Sequence, residues 1–325
     1  MSRRKREPMF DVGTKLADPA LPSRIRSLGF RDHDVADVLA AAATVAARKD
    51  DLDAIAVMAE QLVSRIGNLQ RIDGSIWSGP QAYSEAVGTG VLPMLTLLLT
   101  APEVAAFHAS RGIPPEVSTA TLADLGQQVW VHRLTYHEFG LHTQGWLLTA
   151  WCGALYWLGR LQFELCLENW IADGGKTREW VLSTHIPRTG PLKPALVDES
   201  FAEATNFFAR HFPDYPTRDF FCASWMLDPQ IAELFPHSNL AAFQRRWTLY
   251  GDSQPGNTDV LFFVFNRREP TNPESLPRDT SLQRAIAERM AAGLNWSTVK
   301  GRIHQEGVSS PRSGQRDSIP PASVS

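Results

Sequence analysis

His185 and Glu164 are the side chains whose type and setting best suit proton transfer. His185 closes a stretch in which Trp180, Leu182, Thr184 and Ile186 alternate with Val181, Ser183 and His185. A period of two is that of a strand, and a neutral imidazole there can take a proton from an attacking amine near pH 7. A half-buried histidine bonded to a backbone carbonyl is the competing reading, and the residues leave both open. Glu164 is the alternative base; its ordinary role would be a solvent-facing carboxylate or a partner for Arg160. After His185 the chain reads Ile-Pro-Arg-Thr-Gly-Pro-Leu192, turns at Gly190-Pro191 and leads towards a helix. A phosphate-bearing ligand could rest on amides of such a loop and feel the helix dipole, with Arg188 pairing to it. A short Gly-Pro loop is also a common plain turn. Asn239 opens the segment Asn-Leu-Ala-Ala-Phe243, and by residue type it is a helix cap.

Other reactive residue types carry less. Asp228 precedes Pro229 and reads as a turn initiator. Cys222 lies in an apolar segment with nothing nearby to lower a thiol pKa. His132, His137, Glu138 and His142 invite a metal reading, because HEFGLH resembles the HExxH zinc string. It has one residue too many, however, and on a helix that spacing turns the second imidazole away. No metal site is expected. The chain contains no P-loop, no GxGxxG and no GxSxG elbow.

The elements that must position these residues fall into two groups. Helical spacing starts after Asp32 or Asp34, with Val35, Val38, Leu39, Ala42 and Val45 on one face. A second stripe runs Leu52, Ile55, Met58, Leu62 and Ile66, stopped by Gly67. An apolar helix is expected within Ala82 to Leu99. Thr100 then caps a further helix with Pro102 in its first turn and Gly112 at its end. Asp73-Gly74 suggests a turn, and Val117 to Leu134 is again helical. Strand spacing begins at Leu161, Phe163 and Leu165. Phe220 to Leu227 reads as a third strand, and Val260 to Phe265 as a central one. Helices are expected over Ser200 to His211, Ser238 to Trp247 and from Thr280 to about Ala292. Six of the ten tryptophans lie between Trp130 and Trp180, which predicts a packed core where two domains meet.

With 325 residues, 43% of them apolar, the chain can fill two domains. Its net charge of -3 spreads over 32 basic and 35 acidic residues. No basic face dominates, so nucleic acid is not an expected partner. Cys152, Cys166 and Cys222 form no CxxC pair, and buried thiols in a reducing compartment are the plain reading. No apolar h-region follows the basic start. The longest apolar run, Val87 to Leu99, is broken by Gly88, Gly90 and Pro93 and falls short of the about 20 residues a bilayer needs. A cytoplasmic protein without a membrane partner is expected.

Four strings in fixed order carry a resemblance: LGRLQFE (Leu158 to Glu164), HIPRTGPL (His185 to Leu192), SWMLDP (Ser224 to Pro229) and SNLAAF (Ser238 to Phe243). They resemble a bacterial acyltransferase-domain family that pairs a helical N-acyltransferase N-terminal domain with a GNAT-like C-terminal domain. The resemblance implies an α+β fold, with the helical domain at 31–150 and the mixed α/β sheet domain at 151–304; residues 1–30, which carry little periodicity, are expected to be flexible, and the serine- and proline-rich residues 305–325 a disordered tail. It implies acyl-CoA as cosubstrate, bound where two strands splay apart. Arg188, Thr189, Gly190, Pro191 and Leu192 would lie at the pyrophosphate, and Asn239 beside the cofactor. His185 or Glu164 would serve as base for direct attack by a small-molecule amine or peptide acceptor. The loop has one glycine where the GNAT pattern has two, and Arg246 and Trp247 stand where a tyrosine acid is usual. A non-catalytic ligand-binding or interaction protein of the same shape is therefore the alternative.

Overall fold

The computed structural model describes residues 10–69, 74–78, 82–172 and 175–305. Among the described residues eight α-helices come first: α1 (Val12–Leu16), α2 (Leu21–Ser27), α3 (Asp32–Ala46), α4 (Lys49–Val63), α5 (Val91–Ser110), α6 (Pro115–Leu122), α7 (Asp124–Tyr136) and α8 (Gln144–Trp151). The apolar stripes of α3 and α4 are the reason they form there. Val35, Val38, Ala42 and Val45 of α3 and Ile55, Met58 and Leu62 of α4 are buried in one core. The first thirty residues are more ordered than expected from residue 10 onward. Phe10, Val12, Leu16, Leu21, Ile25 and Leu28 join that core, so α1 and α2 are part of it. The expected Asp73-Gly74 turn and the serine-rich tail fall at residues 73 and 306–325, outside the described residues.

Helix α5 corrects the expectation of two helices meeting at Thr100. One helix runs through, with Pro102 inside it. Thr100 is no cap: its hydroxyl donates back to the carbonyl of Thr96 at 2.8 Å, as Thr96 does to Leu92. A proline costs one main-chain bond and strains one turn, and the complete burial of residues 91–101 just before it offsets this. Among the described residues, α5 alone is long and apolar enough to cross a membrane, and 72% of its most apolar window is buried inside the fold, as in a core helix.

The rest of the chain builds a six-stranded mixed sheet: β1 (Leu155–Leu158), β2 (Leu161–Ala172), β3 (Gly175–His185), α9 (Pro194–His211), β4 (Asp219–Ser224), α10 (Pro229–Leu234), α11 (Asn239–Gln244), β5 (Thr248–Pro255), α12 (Asn257–Phe265), α13 (Ser281–Ala291) and β6 (Ser297–His304). The strand order is β1-β2-β3-β4-β6-β5. Among the described strands only β3 and β4 run parallel. Phe163, Leu165, Leu182 and Phe220 turn one face of the sheet onto Val197, Ala204 and Phe208 of α9. The segment 260–265, expected as a central strand, is the helix α12. A short apolar run does not distinguish a buried strand from a buried helix; here Gly256 and Asn266, in left-handed geometry at φ 56°, bound a helix. The third strand ends at Ser224, and residues 225–227 turn in a 3-10 helix held by the Ser224 hydroxyl.

Candidate functional site

The sheet opens between β3 and β4. Leu182 pairs with Phe220 and Ser183 with Phe221, and the ladder stops there. Beyond that point β4 stays with β6, pairing Ala223 to Lys300 and Ser224 to Val299. Thr184 to Arg188 leaves in another direction, and Pro187 has no N–H to extend a ladder. A cavity of about 280 Å³ fills the gap. Its walls are Thr184 to Arg188 on one side and Ala223 to Met226 on the other. The helical region closes it with Asp124, Gln127, Gln128, Val131, Thr143 and Trp146, and α12 adds Asp259, Phe262 and Phe263.

The two expected bases meet at this cavity. Gln162 lies opposite His185 and Glu164 opposite Ser183 in the β2–β3 register. Glu164 and His185 therefore project from the same face, and His185 Nε2 lies 3.1 Å from Glu164 Oε2. The edge of the Trp146 indole stacks against His185, ring centres 4.7 Å apart. His185 is one of the cavity-lining residues, and Glu164 sits behind it as hydrogen-bond partner. Of the two expected bases, only the imidazole reaches the open volume.

The loop after β3 is held differently from its expected role. Arg188 does not point a free guanidinium outward. It donates to the Asn266 side chain and, at 2.9 Å, to the carbonyl of Phe263, pinning the end of α12. Arg160 gathers the loop carbonyls instead, donating to Pro187 at 3.1 Å, Gly190 at 2.9 Å and Pro191 at 3.2 Å. Thr189, Gly190 and Pro191 are exposed, and Gly190 has φ 61°, a conformation that favours glycine. Leu192 sinks into the core beside Val197. The loop enters α9, whose first amides have no side-chain cap. Asn239 is the exposed first residue of α11, whose cap is Ser238, and it does not line the cavity.

Several candidates lie elsewhere. Cys222 is buried in the core, and burial pushes its thiol up to about 12. Tyr250, on β5, packs near Val181 and Phe221 on the same sheet face as Glu164, but it is not among the residues that line the cavity. Asp228 caps α10 by accepting from the Gln230 amide. The HEFGLH string is not a helix: α7 ends at Tyr136 and His137 is left-handed at φ 60°. His132 and His142 meet instead, Nδ1 to Nδ1 at 3.1 Å, and burial drives His142 down to about 4 and His132 in the same direction. Among the described residues no three His, Cys, Asp or Glu side chains converge as metal ligands.

Sequence reasoning missed Asp124. It is 1% exposed, opens α7 and lines the cavity. Gln128 Nε2 donates to its Oδ1 at 3.1 Å and Trp146 Nε1 to its Oδ2 at 3.0 Å. Burial pushes this carboxyl upward, and those two donors oppose the push. Ala-Asp at a helix start looked like an ordinary N-terminal acid, and no sequence signal ties it to Trp146 or His185.

The comparisons agree with this geometry. Residues 19–153 match the N-acyltransferase N-terminal domain and residues 155–303 the GNAT-like C-terminal domain. A crystal structure of an acyltransferase in complex with decanoyl-CoA and teicoplanin is 32% identical over 86% of each chain, with a TM-score of 0.75. One in complex with CoA and 10C-teicoplanin is 31% identical over 88% of each chain, with a TM-score of 0.77. No curated protein matches the sequence. Strand divergence, two matched domains and similarity across most of both chains lead to one conclusion: the chain belongs to the acyltransferase family that joins an N-acyltransferase N-terminal domain to a GNAT-like C-terminal domain.

Proposed function

We propose that this protein transfers an acyl group from acyl-CoA to the amine of a small, peptide-like acceptor by direct attack. The observation that carries the reading is the gap between β3 and β4, with His185 on its wall. A pantetheine arm in that gap takes the place of the missing ladder, and a thioester carbonyl meets main-chain donors at the diverging strand ends. The acceptor amine approaches from the helical side. His185 takes its proton, and Glu164, 3.1 Å from Nε2, holds the ring. Alignment of two bound reactants removes several kcal/mol of barrier, and oriented amides remove roughly 3 more. No covalent enzyme intermediate is required.

The pyrophosphate lies over the exposed Thr189-Gly190-Pro191 turn and the uncapped start of α9, where the dipole and exposed Lys193 favour an anion. Arg188 contributes through its backbone, since its guanidinium already holds α12. The nearby solved acyltransferases with teicoplanin support a peptide-like acceptor. A cytoplasmic setting belongs to the same proposal, because the three cysteines form no CxxC pair and Cys152 and Cys222 are buried, which suits a reducing compartment.

The test is calorimetric titration with acetyl-, octanoyl- and decanoyl-CoA, followed by transfer to teicoplanin as a probe amine. Binding with release of free CoA thiol in the presence of the amine supports the reading. No binding of any of the three at millimolar concentration overturns it.

A further inference from the structure

The cavity wall holds a buried carboxylate that the proton-transfer pair does not include. Asp124 sits at the first position of α7, where the helix N-terminus favours negative charge. Both of its oxygens receive donors, one from Gln128 and one from the Trp146 indole. Two acceptor oxygens facing two N–H groups suit an ionised carboxylate, which has no proton to donate. The same indole that bonds Asp124 stacks edge-on against His185. Gln162, opposite His185 in the register, is 2% exposed and turns its amide nitrogen to Asp124 without completing an ordinary hydrogen bond. A carboxylate, an indole and an imidazole are thus joined in series from α7 through α8 to β3.

We propose that Asp124 is a positioning residue for His185: it fixes the Trp146 indole against the imidazole ring and supplies the anion that balances the imidazolium formed during transfer. The inference rests on the proposed acyl transfer. In that step the amine nitrogen bonds to the thioester carbon and its proton passes to His185. The carbon–sulfur bond breaks, and the departing CoA thiolate takes the proton back. The imidazolium exists only between those two events. Other charged groups near His185 are Glu164 on β2, Arg188 on its own loop, and Asp259 and Arg268 across the cavity. Trp146 and Ser224 face it without charge. The two arginines partly offset the outer carboxylates, which leaves Asp124 as the buried anion on the helical side.

The experiment compares wild type, Asp124→Asn and Trp146→Phe. Asparagine keeps an oxygen for the indole N–H and removes the charge, whereas phenylalanine keeps a ring and removes the N–H. Histidine ring chemical shifts are read by NMR at a single pH, with His185 assigned through His185→Gln, and initial rates are read with decanoyl-CoA and teicoplanin. In Asp124→Asn the His185 ring resonances are expected to move, because the indole that packs on the imidazole loses its anionic partner. Its kcat is expected to fall about tenfold, with KM for decanoyl-CoA within about twofold. Trp146→Phe should lower kcat similarly and move the same resonances. Unmoved His185 resonances in Asp124→Asn overturn the inference even if the enzyme is active. Moved resonances in a protein that binds no acyl-CoA overturn the parent reading while leaving the coupling between Asp124 and His185 established.

Discussion

Replacing His185 with glutamine separates proton transfer from cofactor binding. Glutamine can still donate to Glu164, so the 3.1 Å contact has a successor and the β2–β3 pair stays in register. The His185 side chain is 28% exposed and its partner 18%, so loss of that pair costs about 1 kcal/mol of stability or less. The separation of the β3 and β4 main chains, which the proposed pantetheine site depends on, does not involve the His185 side chain. What disappears is the only imidazole on the cavity wall among the described residues. A positioned general base contributes about 10²- to 10⁴-fold. A central loss of about 10³-fold corresponds to ~4 kcal/mol of barrier. The expected result is therefore kcat down about 10³-fold, with KM for decanoyl-CoA within about twofold. The assay follows CoA thiol release with a thiol-reactive chromogen and checks folding by circular dichroism. A folded variant with wild-type kcat refutes the assignment of the base.

Three further predictions concern the scaffold. His108 is fully buried against Ser118 and Tyr156, and burial lowers its pKa to about 4. The unfolded chain protonates this residue first, so stability is intact above about pH 6.5 and is lost as pH falls towards 4. Unfolding free energies from urea titrations should drop across that window by up to ~3 kcal/mol in total, and His108→Leu should flatten the slope. Arg133 donates twice to Asp34, which is 0% exposed, and once to Asp37, joining α7 to α3. Arg133→Met strands a buried carboxylate and should cost about 3 kcal/mol in a denaturant titration; a loss under half of that would mean water reaches Asp34. At Gly126 an added Cβ would lie 2.1 Å from the carbonyl carbon of Gly29. Gly126→Ala should thus lower the melting temperature through about 1–3 kcal/mol of overpacking and also reduce kcat, because it shifts the start of α7 that carries Asp124. A variant that melts lower with unchanged kcat would show that Asp124 does not depend on that close approach.

The periodic parts of this fold were legible in the residues. The stripes of α3 and α4 and the alternation from Leu161 through His185 each report one buried face. That pattern needs no knowledge of the partner element. Elements whose burial is complete or absent were not legible. Helix α5 is buried all round over residues 91–101, so that part of its sequence lacks a stripe, and Thr100 with Pro102 imitated a helix start. Helix α12 is too short and too apolar to separate 3.6 from 2.0. Strand β5 is an edge strand exposed along almost its whole length, which leaves no alternation to read. Strand β6 sits between β4 and β5, with Gly301 pressed against Leu227 and Trp247, a packing reason that a lone glycine does not announce.

The site divides along the same line. Periodicity set Glu164 opposite Phe163 and Leu165, and His185 opposite Leu182 and Thr184, each within its own strand, but only the β2–β3 register brought the two to one face. Asp124 is far from His185 in the chain, and Trp146 reaches both only because α7 and α8 fold onto the end of the sheet. Arg188 changed role for the same reason: its type and position suited a phosphate, but the end of α12, more than seventy residues later, offered Asn266 and the Phe263 carbonyl at close range. Local pattern determines which side chains share a face, because it is set by the pitch of the backbone. Which of them meet a cavity, a buried anion or a competing partner is decided by contacts between distant segments, and those exist only once the chain has closed.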